Sequence, residues 1–265
     1  MIDMVSGKKR RLSRIFRDNG RCVIVPMDHG VTLGPVTGLE NMQRAVDCLA
    51  KGGADAIVVH KGIAASIDSR RMGLIVHLNA SDELSPDPNR KVQVCSVDEA
   101  VELGADGVSI HVNVGAVAEA EMLSDLGQAS AACAEYGMPL LAMMYPRGPS
   151  VKDSNDVTVV KHAARIGAEL NADVVKTNFT GSVDSFRSVI TTCPVPVVIA
   201  GGPKTTSEEG FLRMVYDSVV AGGKGVSIGR NVFQHRDPAL MARAVTSIVH
   251  RKATVADALK LLGGK

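Results

Sequence analysis

Gly53-Ala54-Asp55-Ala56-Ile57-Val58-Val59-His60 and Gly104-Ala105-Asp106-Gly107-Val108-Ser109-Ile110-His111 are two copies of one phrase. Asn171-Ala172-Asp173-Val174-Val175-Lys176 and Gly222-Gly223-Lys224-Gly225-Val226-Ser227-Ile228 carry it twice more. A Gly or Asn at the head of each phrase suits the left-handed residue that closes a helix. The apolar run that follows reads as a buried parallel strand. Four more apolar runs lie between these phrases: Cys22–Asp28, Leu74–Leu78, Pro139–Tyr145 and Pro196–Ala200. Strand starts therefore fall near 22, 56, 74, 107, 139, 172, 196 and 225, a spacing that leaves room for crossover helices.

The intervening segments carry helix start signals. Thr37-Gly38 precedes a helix over 39–51, Ser96 caps 97–103 with Glu99 at the third position, and Ser207 precedes 208–221. Eight strand–helix units in an uninterrupted chain predict an α/β fold, a (β/α)8 TIM barrel, as one domain over 1–265. An open doubly wound sheet would normally show G-x-G-x-x-G after its first strand, and none is present. Asn79–Lys91, with its two Pro, reads as a long excursion after the third strand. The basic cluster Lys8, Lys9, Arg10, Arg11, Arg14, Arg17 and Arg21 lies on a lead-in helix over 1–20 that covers the barrel bottom or a neighbouring subunit.

Composition narrows the function. Lys and Arg total 30 against 28 Asp and Glu, so no bulk field favours a polyanionic partner such as nucleic acid. Five Phe, three Tyr and no Trp are too few for a base-stacking surface or an aromatic membrane belt. No apolar run approaches the ~20 residues of a membrane span, and the N-terminal stretch lacks a signal-peptide core. Five Cys without a C-x-x-C pair argue against a disulfide framework or a zinc ribbon. A cytoplasmic enzyme is the expectation.

In such a barrel the chemistry sits at the C-terminal ends of the strands. Lys176 lies inside an apolar strand on the same face as Val174. Burial disfavours the charged amine, and an uncharged amine can attack a carbonyl. The other reading of Lys176 is a structural ion pair with a carboxylate such as Asp28. Lys61 and Lys204 are rival amines, placed after their strands. Asp28 and Tyr145 end strands one and five, across the mouth from each other, and would supply acid–base groups. Gly201, Gly202, Gly229 and Arg230 end strands seven and eight, where barrels commonly bind phosphate on loop amides and a helix N-terminus. The run Gly201-Gly202-Pro203-Lys204-Thr205 fails the spacing of a nucleotide-binding P-loop. His60, His77 and His111 leave open a metal at the mouth, although no H-E-x-x-H occurs.

The strand-end motifs together resemble one family. Val25-Pro26-Met27-Asp28-His29-Gly30-Val31, His60-Lys61-Gly62, His111-Val112-Asn113-Val114-Gly115, Met144-Tyr145-Pro146-Arg147-Gly148, Val175-Lys176-Thr177, Ala200-Gly201-Gly202-Pro203-Lys204 and Gly229-Arg230-Asn231-Val232-Phe233-Gln234 are similar to the archaeal-type class I fructose-bisphosphate aldolases. Within them the likeness is greatest to the branch that forms 2-amino-3,7-dideoxy-D-threo-hept-6-ulosonate for aromatic biosynthesis.

The resemblance implies a Schiff base between Lys176 and a ketose phosphate, with Tyr145 as proton donor and Asp28 as proton acceptor. It implies that Asp28, His29, Gly30, Val31, Thr32, Tyr145, Pro146, Arg147, Gly201, Gly202, Gly229 and Arg230 hold the phosphorylated substrate. The expected reaction moves a three-carbon unit from 6-deoxy-5-ketofructose 1-phosphate to L-aspartate semialdehyde. Other branches cleave fructose 1,6-bisphosphate or couple dihydroxyacetone phosphate with aspartate semialdehyde, and the Lys, Tyr and Asp do not separate these. A catalytically silent sugar-phosphate sensor would keep the glycine loops without needing that trio. Ala64–Met72 and Asn79–Arg90 depart from the Gly- and His-containing loop of the family. The resemblance also implies no metal or organic cofactor and ring-shaped homo-oligomers, often decamers.

Overall fold

The computed structural model describes residues 6–263. Its centre is a closed barrel of eight parallel strands: β1 Cys22–Pro26, β2 Ala56–Val59, β3 Gly73–His77, β4 Gly107–Val114, β5 Leu140–Pro146, β6 Val174–Thr177, β7 Val197–Ala200 and β8 Gly225–Ser227. Neighbours pair in chain order, and Cys22 set against Gly225 closes the ring between β1 and β8. This is the (β/α)8 TIM barrel expected from the repeat.

The repeated phrase explains the closure. Gly53, Gly104, Asn171 and Gly222 all hold positive φ, so each preceding helix ends there and the chain turns into its strand. The Asp that follows in three of the phrases points to the barrel bottom. Asp55 accepts the amide of Val23, Asp106 that of Leu74 and Asp173 that of Leu140, each a residue of a neighbouring strand.

The lead-in helix Gly7–Ile15 pairs with these same carboxylates. Lys8 bridges Asp173 at 3.0 Å, Arg14 bridges Asp106 at 2.7 Å and Arg17, just beyond the helix, bridges Asp55 at 2.5 Å. Ile15 closes the barrel floor against Ile24, Ile75 and Leu141. Three of the seven basic residues are thus matched to the repeat across the bottom of this chain. Residues 1–5 of the expected lead-in lie outside the described residues.

Three boundaries differ from the sequence reading. The lead-in helix expected over 1–20 ends at Ile15, where Phe16 turns extended. The helix expected over 39–51 spans Met42–Gly52, because the Asn41 side chain accepts the Arg44 amide and caps it there. The Asn79–Lys91 excursion is bracketed by a short antiparallel ribbon, Asn79–Ala80 against Val92–Gln93. The Ser96–Glu99 capping box and the Ser207 cap form as read. No helix among the described residues is long and apolar enough to cross a membrane.

Candidate active site

A cavity of about 320 Å³ opens at the C-terminal end of the barrel. Its floor is set by strand parity. Cys22, Ile24, Ala56, Val58, Ile75, Leu141, Met143, Val174 and Val198 form an apolar cluster filling the barrel interior. Continuing the same inward rows by two residues brings Tyr145 and Lys176 to the lining, and by four brings Asp28, Arg147 and Asn178.

Lys176 is 7% exposed, and its Nζ contacts Met143 Sδ at 3.8 Å and faces the Tyr145 ring at 5.8 Å. It is not paired with Asp28. Asp28 instead lies 3.8 Å from His77 Nε2 and 3.8 Å from His29 Nδ1, which removes the structural ion-pair reading of Lys176. The rival amines are engaged elsewhere: Lys61 with Glu99 at 2.6 Å and Lys204 with the Gln234 carbonyl at 2.7 Å.

Tyr145 is buried on β5, with His111 edge-on at 4.8 Å and the Arg147 guanidinium 5.0 Å from its ring. Arg147 therefore stacks on Tyr145, and among the described residues it has no acidic partner. β1 and β5 lie across the barrel from each other and β6 adjoins β5, so Asp28 faces the neighbouring Tyr145 and Lys176 from across the mouth.

The charge state of the site follows from burial. Burial alone would raise the Asp28 carboxyl, but His77, His29, Lys176 and His60 outweigh it and hold Asp28 well below the usual carboxylate range. Burial lowers His77 to about 4, opposed by Asp28 and reinforced by His60 and Lys176. Burial also lowers His111 well below its ordinary value, with Lys91 and Arg147 adding to it. At neutral pH the site therefore holds an ionised Asp28 among uncharged imidazoles.

Two of the three histidines left open as metal ligands are bonded otherwise. His77 Nδ1 bonds Ser109 Oγ at 2.8 Å and His111 Nε2 bonds Asn113 Oδ1 at 2.8 Å. No metal-ligating group of three His, Cys, Asp or Glu occurs among the described residues.

At the β7–β8 side, Gly201, Gly202, Gly229 and Arg230 line the cavity as expected. A Cβ on Gly229 would sit 2.6 Å from the Pro26 carbonyl and 2.7 Å from His29 Cε1, so only glycine lets these loops meet. The buried Nε of Arg230 and Oγ of Ser227 have no hydrogen-bond partner among the described residues. Unspent donors beside exposed loop amides suit an oxyanion. The helix after Gly229 is a single turn, Arg230–Phe233, so loop groups and Arg230 supply this charge rather than a long helix dipole.

Among the other expected residues, His29 and Thr32 line the cavity, whereas Gly30, Val31 and Pro146 do not. Gly30 and Val31 border a separate groove with Leu39 and Ile63, because the turn after Asp28 rotates them outward. Sequence reasoning missed Lys91, Glu83, Asn178 and Ser227, all of which line the cavity. Strand parity reaches Asn178 from Lys176 and Ser227 from Gly225. Lys91 and Glu83 belong to the irregular excursion, where no period points at them.

Three comparisons bear on this arrangement. Residues 22–235 match the family described as DeoC/LacD family aldolase. The chain is 48% identical over 265 residues to 2-amino-3,7-dideoxy-D-threo-hept-6-ulosonate synthase 1 of Archaeoglobus fulgidus, covering 97% of this chain and 96% of that protein. It is 42% identical over 248 residues to 2-amino-4,5-dihydroxy-6-oxo-7-(phosphonooxy)heptanoate synthase of Streptomyces griseus, covering 92% and 90%. An archaeal fructose 1,6-bisphosphate aldolase superimposes with a TM-score of 0.86 at 33% identity, covering 92% of this chain and 99% of that one. A Schiff-base-forming fructose-1,6-bisphosphate aldolase also matches with a TM-score of 0.86, at 32% identity, covering 92% and 100%.

Proposed function

The chain belongs to the DeoC/LacD aldolase family, and from that premise we propose that it is a lysine Schiff-base transaldolase joining part of a ketose phosphate to L-aspartate semialdehyde. The product is 2-amino-3,7-dideoxy-D-threo-hept-6-ulosonate. The observation that carries the reading is Lys176: a buried strand lysine with no carboxylate partner among the described residues, open to a cavity that also holds Tyr145 and Asp28.

The Lys176 amine attacks the donor ketone, and the resulting carbinolamine loses water to give an iminium ion. Asp28, ionised at the mouth, takes the proton from the hydroxyl whose carbon–carbon bond breaks. The bond's electron pair passes into the iminium, leaving an enamine on Lys176 and releasing the phosphate-bearing aldehyde. The enamine carbon then adds to the aldehyde of aspartate semialdehyde, whose oxygen is protonated. Water hydrolyses the new iminium and frees Lys176. Tyr145 donates the proton in the carbinolamine and addition steps. Asp28, His29, Thr32, Tyr145, Arg147, Gly201, Gly202, Gly229 and Arg230 hold the phosphorylated donor.

A second reading takes dihydroxyacetone phosphate as donor. It is favoured by cationic groups on facing sides of the cavity, Arg230 with the glycine loops and Lys91 across from them, which one phosphate and one carboxylate would fill together. In the first reading phosphate leaves with the released aldehyde, and in the second it remains in the product.

Borohydride reduction with each donor, followed by peptide mass spectrometry, should attach the sugar fragment to Lys176. An adduct on Lys61 or Lys204, or none, sinks the assignment. Lys176→Ala should abolish trapping and lower turnover by roughly 10³-fold or more, because the covalent route is gone. Product mass with aspartate semialdehyde then chooses between the donors.

A further inference from the structure

The excursion after β3 is held across the mouth. Asn79 exchanges two hydrogen bonds with the His111 backbone at 2.8 and 2.9 Å, and Asn113 Nδ2 donates to the Asn89 carbonyl at 2.8 Å. On the other side Thr32 Oγ1 donates to the Ser81 carbonyl at 3.0 Å, and the Glu83 amide donates to the Thr32 carbonyl at 3.0 Å. The segment is thus a wall tied to β4 and to the turn after β1, and it carries two opposite charges into the cavity.

Lys91 is one of them. It is 7% exposed, and its Nζ donates to Ser81 Oγ at 2.6 Å, whose hydroxyl passes on to the Pro88 carbonyl. It has no ion pair with any carboxylate among the described residues. Burial lowers its pKa, nearby Arg147 adds to that, and Asp28 opposes it. A buried ammonium with free donors and a cationic neighbour is costly unless an anion joins it. Glu83 is the other charge: exposed on the same wall, lining the same cavity, and without an ion pair among the described residues. The β3–β4 side lies across the barrel from the β8 loop that carries Arg230.

We propose that Lys91 and Glu83 form an amino-acid head-group subsite, in which Lys91 binds the α-carboxylate of the acceptor aldehyde and Glu83 its α-ammonium. The proposal rests on the aldolase reading above and assigns its acceptor specificity. A carboxylate partners the buried Lys91 ammonium, and a zwitterion matches both charges where a simple aldehyde or a phosphate matches only one or neither.

The test compares three acceptors at saturating donor: L-aspartate semialdehyde, succinic semialdehyde, which lacks only the amine, and propionaldehyde, which lacks both charges. Lys91→Met should cut the advantage of succinic semialdehyde over propionaldehyde by about 10- to 100-fold. Lys91→Arg should retain most of that advantage, which separates lost charge from a collapsed wall. Glu83→Gln should reduce the preference for L-aspartate semialdehyde over succinic semialdehyde by about tenfold, leaving the other ratio alone. Equal losses with all three acceptors, or unchanged ratios, overturn the proposal. A failure of the aldolase reading itself would show separately, as no borohydride adduct on Lys176 of the unaltered protein.

Discussion

Tyr145 and Arg147 stand two residues apart on one inward row of β5, yet their substitutions are expected to fail differently. If the Tyr145 hydroxyl delivers a proton, it acts only in the transition state. Tyr145→Phe should then lower kcat and kcat/KM together, by about 10²–10⁴-fold. Arg147 lies over the Tyr145 ring and is exposed at the mouth, free to meet an anionic oxygen. Its contact strengthens ground state and transition state alike, so Arg147→Ala should raise KM for the phosphorylated donor with kcat within about tenfold. Steady-state kinetics at limiting and saturating donor decide both. A pure KM effect in Tyr145→Phe would move the proton-donor role to another group.

His77 makes a prediction about stability. Its folded-state pKa of about 4 lies below the ordinary ~6.5, so between those values the unfolded chain binds the extra proton. Stability from this group is complete above about pH 6.5 and is lost as pH falls toward 4, by about 3 kcal/mol. Asp28, also depressed, loses its contribution at still lower pH. Urea unfolding at pH 7 and pH 4.5 should show a smaller acid loss for His77→Gln than for the unaltered protein. The slope should flatten without vanishing, because burial lowers His60 and His111 in the same direction.

At the scale of elements, the lead-in helix and the repeat act on each other. Gly73 and Gly107 start β3 and β4, and a Cβ on either would press on the helix: 2.9 Å from the Arg14 carbonyl and 3.1 Å from Ile15 Cδ1. These glycines make room for Ile15, which is 4% exposed in the barrel floor. Ile15→Ala should cost about 2–4 kcal/mol through lost burial and the cavity left behind. Denaturant unfolding measures that cost, and kcat below the transition should remain within about twofold. A large loss of kcat would mean that the floor sets the geometry of the mouth.

At the scale of the whole molecule, the barrel separates the groups that hold it together from those proposed to react. The ion pairs of Asp55, Asp106 and Asp173 lie at the N-terminal ends of the strands, and Asp28, Tyr145 and Lys176 at the C-terminal ends. Ile15→Ala combined with Tyr145→Phe should therefore show the stability loss of the first and the rate loss of the second, adding to within about 0.5 kcal/mol in unfolding free energy. The eight-unit barrel was legible in the amino-acid order because a buried parallel strand needs a short apolar run and its preceding helix needs a left-handed stop. Both leave marks at fixed spacing. The proposed site residues Lys176, Asp28, Tyr145 and the paired glycines were legible for a related reason: a charged, phenolic or glycine residue within or just after an apolar run departs from the local pattern. The tertiary structure alone decided where the basic lead-in cluster goes, that Lys176 stands apart from Asp28, that Gly30 and Val31 turn away, and that Lys91 and Glu83 enter the cavity. Those outcomes depend on which distant elements meet, as when Thr32 and Asn113 fasten an aperiodic excursion over the mouth, and contacts between remote residues leave no period in the chain to read.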